Sequence, residues 1–166
     1  MGTPAYWNLA QSLAANGDYV RACETLERAS DGGKLAPLVY LARLKYMHQR
    51  YEEAAMLMAE VERRVEDDDA DTHFLLYLAY ELGAGGGYIE SKRNAFRHLE
   101  HVARSGEPRA QAAVGLHYWQ GLNGVQIDLE LAEYWLSEAA RSGRPDILRS
   151  YKRFVRAKTG NTERAP

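Results

Sequence analysis

The stretch that decides the fold is Ala110–Gly143, AQAAVGLHYWQGLNGVQIDLELAEYWLSEAARSG. Small and apolar residues recur in it at helical spacing on both sides of a glycine loop, which predicts two short helices folded back on one another. The first helix carries Ala113–Gly115 on one face and ends at Gly121, and the second carries Trp135. Small residues let two helix backbones approach closely. Such a hairpin has too little apolar surface to be stable alone, so we expect copies of it beside it.

The copies are present in the sequence. Ala103-Arg104-Ser105-Gly106 repeats, letter for letter, the segment Ala140–Gly143, which lies 37 residues further along the chain. Nearer the N-terminus, the apolar positions of 19–29 recur at 51–61, a period of 32. Such periods are typical of helical hairpin repeats. The sequence therefore predicts an all-α chain of about four antiparallel hairpins.

Two segments carry a resemblance to known repeat families. The segment Gly121–Asp128, followed by Ala132 and Trp135, resembles the Sel1-like repeat, a relative of the tetratricopeptide repeat. The first unit resembles the tetratricopeptide repeat itself: an aromatic residue, Leu-Ala, a turn at Asn16–Asp18, then an aromatic residue and small and apolar residues at helical spacing. The resemblance implies an α-solenoid, a right-handed superhelix in which the first helix of each hairpin lines a concave groove. It also implies a bacterial source.

The expected organisation is a single domain that ends in a capping helix. The last hairpin needs such a helix to cover its open apolar face. The predicted ranges are 1–166 for the domain, about 3–33, 35–66, 72–106 and 109–143 for the repeats, about 146–158 for the capping helix, and 159–166 for a frayed tail.

Several local signals refine this prediction. Thr3 is expected to cap the first helix, Asp18 the second, and Asp71, the last aspartate of an acidic loop, the fifth. The second repeat departs from the pattern in two places. Its turn, His48–Arg50, has no glycine, and Lys45 falls where an apolar residue is expected.

Composition and charge exclude some classes of protein. The 166 residues are 46% hydrophobic and 27% charged, with a net charge of −2, which argues against a general nucleic-acid binder. From Arg141 onward, however, there are 8 basic and 2 acidic residues. The alternative function is therefore binding of nucleic acid or an anionic surface through the basic face of the capping helix. That face holds Arg149, Lys152, Arg153, Arg156 and Lys158.

Localisation is predicted from what the N-terminus and the apolar runs indicate. No apolar run approaches the roughly 18 residues that a membrane span needs. No secretory signal pattern is visible, so the cytoplasm is expected, although a mature exported chain would look the same. The single cysteine, Cys23, excludes an internal disulfide, and its place on an apolar helix face favours burial over reactivity.

The histidines, the glycine run and the acidic loop are the candidates for a metal, phosphate or calcium site. His98 and His101 are spaced to reach one metal ion, but no third ligand can be assigned, and His98 occupies the place that Trp135 fills in the next repeat. Packing is therefore favoured for His98. The loops Gly83–Gly87 and Glu66–Asp71 lack the context of a phosphate cradle or a calcium loop. We predict no enzyme, no cofactor and no metal site, with a metal-dependent hydrolase-like enzyme kept as an alternative.

The predicted function is a non-enzymatic protein–protein interaction module that binds a peptide or a protein domain. The adaptor or scaffold role and an immunity-type inhibitor of a toxin both remain open, and a monomer is favoured. Tryptophan, tyrosine, arginine and methionine on the first helices are the types enriched at binding hot spots. Their side chains are expected to point away from the packing between repeats, unless they complete the core of a short solenoid. The predicted groove residues are Trp7, Gln11, Val39, Arg43, Tyr46, Met47, His73, Leu76, Tyr80, Arg109, Leu116 and Trp119.

Overall fold

The protein is all-α, as predicted. The computed structural model describes residues 4–67, 69–84 and 88–162, and within them it contains nine α-helices and one short 3-10 helix. The α-helices are α1 (Ala5–Ala15), α2 (Tyr19–Ala29), α3 (Ala36–Met47), α4 (Tyr51–Glu62), α5 (Ala70–Glu81), α6 (Tyr88–Arg104), α7 (Pro108–Gln120), α8 (Leu129–Ala140) and α9 (Pro145–Thr162). The 3-10 helix, Leu122–Gly124, lies between α7 and α8.

The helices group into two compact units, Met1–Ala95 and Phe96–Pro166. The boundary falls inside α6, so the two halves of this helix belong to different units. The expectation of a single domain over 1–166 stays a prediction.

The first unit is built from hairpins. Helix α1 packs against α2, and α3 packs against α4, while α3 also contacts α1, α2 and α5. Most of the positions that recur with a period of 32 lie in or beside its core: Leu26 and Met58, 32 residues apart, are 0% and 1% exposed, whereas Tyr51 is 54% exposed. The helical spacing in the sequence therefore identified the buried faces of α2 and α4.

The turn between α3 and α4 has the same backbone conformation as the turn of the first repeat, although it lacks the glycine. Gly17, between α1 and α2, has a φ of 83°, and Gln49, 32 residues later, takes the same left-handed region with a φ of 61°. Left-handed backbone is costly for a residue with a Cβ atom. The second repeat therefore keeps the turn geometry at the expense of local strain.

The polar residue Lys45, at an expected apolar position, is matched by an acidic partner on the next helix. Its Nζ lies 2.8 Å from Oε2 of Glu53, and its side chain is 15% exposed. Lysine buries its aliphatic part and keeps only the ammonium group at the surface. The hydrogen bond from Lys45 lowers the pKa of the Glu53 carboxyl.

The helix caps are confirmed in part. Asp18 caps α2 by accepting a hydrogen bond from the Arg21 amide, at 3.2 Å. The prediction for α5 is wrong, because Asp69 rather than Asp71 accepts from the Thr72 amide, and the helix begins at Ala70. Thr3 lies outside the described residues, as do Asp68 of the acidic loop and 85–87 of the glycine run.

The second unit contains the hairpin that decides the fold. Helices α7 and α8 pack closely at Gly115, where an added Cβ would lie 2.7 Å from Cγ of Leu136 and 3.2 Å from the carbonyl oxygen of Ala132. Gly121 ends α7 in the left-handed conformation, and Asp128 caps α8 by accepting from two backbone amides. The small residues therefore set the helix separation, as predicted.

The capping helix is present and longer than predicted. Helix α9 covers α7 and α8, with Ile147 and Phe154 3% and 0% exposed. It continues to Thr162, so the predicted frayed tail is helical at least to that residue, and 163–166 lie outside the described part of the chain. Trp135 on α8 is buried.

Candidate binding groove

The first helices of three successive hairpins form a cavity in the first unit. Its volume is about 450 Å³. Residues at i, i+4 and i+7 share a helix face, which is how Ala36, Tyr40 and Arg43 of α3 come to line it together. The lining residues are Pro4, Tyr6, Trp7, Ala36, Tyr40, Arg43, Asp71, Phe74, Leu75 and Leu78.

One wall of the cavity is aromatic and well packed. The rings of Trp7 and Tyr40 are stacked, with centroids 4.7 Å apart, and the ring of Tyr6 meets Tyr40 edge-on at 5.9 Å. Trp7 and Tyr40 are buried, whereas Phe74 on α5 is 44% exposed. The groove therefore joins a fixed aromatic wall on α1 and α3 to an accessible phenyl ring on α5.

The cation of the cavity is Arg43, held against the aromatic wall. Its guanidinium carbon lies 5.4 Å from the ring centroid of Trp7 and 5.7 Å from that of Tyr40, a cation–π geometry. Its Nε atom is buried and has no hydrogen-bond partner. Burial lowers the pKa of the Arg43 guanidinium, with the Tyr40 hydroxyl opposing that shift. In the unbound protein, the partial desolvation of the Arg43 guanidinium is therefore an uncompensated cost.

Asp71 brings a carboxylate to the edge of the same cavity. Its side chain is exposed at the start of α5 and makes no ion pair with Arg43. Burial raises the pKa values of the Tyr6 and Tyr40 hydroxyls, so both rings are neutral at physiological pH. The cavity thus offers one half-buried cation, one exposed anion and several neutral aromatic rings.

Four predicted groove residues are core residues instead. Val39 and Leu76 are 0% exposed, His73 is 2% exposed, and Tyr80 is 4% exposed with its hydroxyl donating to Glu62 Oε1 at 2.8 Å. The prediction that Val39, His73 and Leu76 line an open surface is wrong. Tyr80 lines a second, smaller cavity together with Tyr46, and partner contact by Tyr80 stays a prediction. On an α-helix, a shift of one residue turns the side chain by roughly 100°. Position 39 therefore faces the core while its neighbour, Tyr40, lines the cavity.

Of the remaining predicted residues in the first unit, only Trp7 and Arg43 line the cavity. Gln11 and Met47 are exposed on α1 and α3. Tyr46 is half-buried, with its ring 5.1 Å from that of Tyr51. Partner contact by Gln11, Tyr46 and Met47 stays a prediction.

In the second unit, Trp119 takes part in the packing of the capping helix. Its ring meets Phe154 edge-on at 5.5 Å, and the Arg153 guanidinium lies 5.2 Å from its centroid. The expectation that the Trp119 side chain points away from the packing is wrong. Leu116 is half-buried beside the same core, and Arg109 is exposed. Partner contact by these residues stays a prediction.

Most of the cavity lining was not predicted from the sequence, although a repeating pattern of positions indicated it. Tyr6, Tyr40, Phe74 and Leu78 line the groove and were not predicted to. The lining positions of α3 recur on α5 with a period of 35, as 36, 40 and 43 against 71, 75 and 78. This face joins apolar residues to Arg43 and Asp71, and its recurrence on α3 and α5 is the signal for the groove.

The structure also describes His98 and the basic face of the capping helix, on which the two alternative functions depend. His98 is fully buried, which confirms it as a packing residue; its Nε2 lies 3.4 Å from the Arg97 guanidinium, a group that only donates hydrogen bonds. On α9, Arg149, Lys152 and Arg156 are exposed, whereas Lys158 forms an ion pair with Glu133.

Within the described ranges, no helix combines the length and the apolar character that crossing a bilayer requires.

Comparisons with known proteins agree with the fold. Neither models of known families nor curated protein sequences give a match. Among solved structures, a Sel1 repeat protein from Oxalobacter formigenes is 24% identical, with a TM-score of 0.53 over 86% of this chain and 59% of that one. This chain thus spans less than two thirds of that protein. MamA (41 to end) from Desulfovibrio magneticus RS-1 is 18% identical, with a TM-score of 0.48 over 95% of this chain and 92% of its own. The described helices form a helical-repeat fold similar to that of the Sel1 repeat protein.

Proposed function

We propose that this protein is a non-enzymatic interaction module that holds a peptide segment of another protein in the groove of α1, α3 and α5. The observation that carries the proposal is the cavity of about 450 Å³, with its aromatic wall and its half-buried arginine, whose Nε atom has no hydrogen-bond partner. Binding pockets commonly have volumes of this order and join apolar walls to a few polar groups. Aromatic residues and arginine are also the usual hot-spot types at protein interfaces.

The chemistry of the cavity favours binding over catalysis. Its lining residues include no serine, cysteine or histidine, and its one carboxylate, Asp71, has no nucleophile among the lining residues to activate. An open groove between parallel helices suits an extended chain, because each successive first helix adds contacts along it. The same proposal covers an adaptor, a scaffold and an immunity-type inhibitor that occupies a toxin's active site. These roles differ in the partner and share the groove.

A second candidate function is binding of an anionic surface or nucleic acid through α9. The exposed residues Arg149, Lys152 and Arg156 recur at i, i+3 and i+7 on one face of this helix. A titration with DNA, RNA and anionic vesicles at several salt concentrations tests it, since phosphate contacts give a steep fall in affinity as salt rises. Weak binding that does not depend on salt would leave this face as a solvated surface.

Co-purification from the native host, followed by mass spectrometry, tests the main proposal. The bait is compared with Phe74→Ala, which removes an accessible groove ring, and with Met56→Ala, which removes a 73% exposed side chain on α4. We expect a protein that the wild type and Met56→Ala retain and that Phe74→Ala loses. A partner held equally by all three would contradict a role for the groove.

A further inference from the structure

We propose that the groove recognises an acidic side chain of the partner, with its carboxylate paired to Arg43 and a neighbouring large apolar side chain against the aromatic wall. This inference rests on the proposed function and names the chemistry of the peptide. The described residues leave the Arg43 guanidinium with two aromatic contacts and without a hydrogen bond or an ion pair.

The lack of a partner for Arg43 is the first argument for an anionic ligand. A guanidinium stays charged under all physiological conditions and offers five donors in a planar fork that fits a carboxylate. Leaving such a group partly desolvated is costly unless it is paired. A carboxylate entering the cavity would supply the missing acceptor. In the unbound protein the desolvation of the guanidinium is uncompensated, whereas in the complex the pairing with the carboxylate would offset it.

The electrostatic surroundings of the cavity give a second argument. Ala36 and Asp71 lie in the first turns of α3 and α5, where the helix dipoles favour negative charge, although Arg43 itself lies in the second half of α3. Asp71 opposes an incoming anion, but its side chain is exposed, so water and salt screen it more than they screen Arg43. The half-buried Arg43 is therefore the group that we expect to set the charge preference of the site.

The apolar lining explains why an acidic residue alone would be a poor ligand. Tyr6, Phe74 and Leu78 offer apolar area beyond the reach of the Arg43 guanidinium. Burying a large side chain there gains from the removal of apolar surface from water. A carboxylate next to an aromatic or aliphatic side chain satisfies both halves of the cavity.

The first test separates a binding role of Arg43 from a structural one. Arg43→Met keeps most of the side-chain volume and removes the charge. If Arg43 serves the ligand, the variant loses a desolvation cost, and its melting temperature stays equal or rises. If the cation–π contacts hold α1 and α3 together, the melting temperature falls by about 5 °C or more. That fall would overturn the proposal.

The second test selects peptides from a displayed library of random dodecamers on the full chain. Each selected peptide is then synthesised with its Asp and Glu residues, and again with Asn and Gln in their place. Binding is measured by fluorescence polarisation to the wild type, Arg43→Met and Asp71→Asn, with Arg63→Met as a control that removes an exposed arginine on another helix end.

We expect the selected peptides to share an acidic residue next to a large apolar one. The change from acid to amide should weaken binding to the wild type by about tenfold or more, the usual scale for a charge-assisted bond. Arg43→Met should bind as weakly and no longer distinguish acid from amide, whereas Asp71→Asn should bind the acid form more tightly. Arg63→Met should behave like the wild type.

The outcomes separate this inference from the proposed function. Peptides that bind, that Phe74→Ala no longer holds, and that show no acidic preference would keep the groove and overturn the role of Arg43. Binding that is equal in Arg43→Met and the wild type would do the same. If the library yields no peptide at all, peptide binding in the groove fails, and this inference fails with it.

Discussion

Gly115 shows how a single missing methyl group sets the distance between two helices. In an exposed helix interior, alanine is more favourable than glycine by about 1 kcal/mol. At Gly115 an added Cβ would meet the Leu136 backbone nitrogen at 3.1 Å as well as its side chain. Backbone atoms cannot move aside as a flexible side chain can. Steric overlap should therefore outweigh the helix preference here.

We predict that Gly115→Ala lowers the free energy of unfolding by about 1–3 kcal/mol, the range for overpacked cores. Urea unfolding followed by circular dichroism measures it. Gln120→Ala, at an exposed position of the same helix, is the control and should change little. A Gly115→Ala variant more stable than the wild type would mean that α7 and α8 are not in close contact at this point.

A second residue-scale feature is the pair of equivalent turns at Gly17 and Gln49. Both have positive φ, and a Cβ at Gly17 would meet no atom within 4 Å, so backbone strain alone distinguishes the two residues. We predict that Gln49→Gly stabilises the protein by about 0.5–1 kcal/mol and that Gly17→Gln destabilises it by about 1 kcal/mol. Thermal melts of the two variants measure both effects. Shifts of the same sign in both would show that strain in these turns does not control stability.

At the scale of elements, α9 acts as a lid on the last hairpin through a few aromatic contacts. Phe154 is fully buried, and Trp119 reaches it edge-on from α7. Leaving this apolar face open would expose the core of a terminal repeat. The packing of the second unit therefore depends on aromatic residues from both α7 and α9.

We predict that Phe154→Ala and Trp135→Ala each cost about 3–5 kcal/mol, as large-to-small changes in a core do. Trp119→Ala should cost about 1–2 kcal/mol, because the ring is half-buried and loses one aromatic pair. Thermal and urea unfolding of the three variants gives the order. A Trp119→Ala variant as stable as the wild type would restore the expectation of a free groove residue.

The elements also show which predictions a sequence supports. Helix positions, turns and buried faces follow from spacing, since residues such as Leu26 and Met58 recur at a fixed period. The groove does not follow in the same way, because an error of one residue moves a side chain by roughly 100° around the helix. Val39 was expected in the groove and is core, while Tyr40 beside it lines the cavity. That distinction depends on how α3 packs against α1 and α5.

For the whole molecule, the sequence has an uneven charge and the structure has two units with distinct surfaces. Residues 1–71 contain 8 basic and 13 acidic groups, and 72–166 contain 13 and 10. The first unit holds the aromatic cavity with Arg43, and the second holds the exposed cations of α9. We therefore propose the first unit as the site of partner binding. In the second unit, α9 packs over the hairpin of α7 and α8.

Site-specific photocrosslinking tests this claim most directly. A benzoylphenylalanine placed at Phe74 faces the groove, and one placed at Met56, on α4, is at least as exposed and lies outside it. Irradiation in the native host and mass spectrometry then identify what each position touches. We predict that position 74 crosslinks to a distinct partner and that the peptides selected on the groove reduce this crosslink. Position 56 should give no crosslink to that partner. The same partner captured from position 56 and absent from position 74 would contradict it.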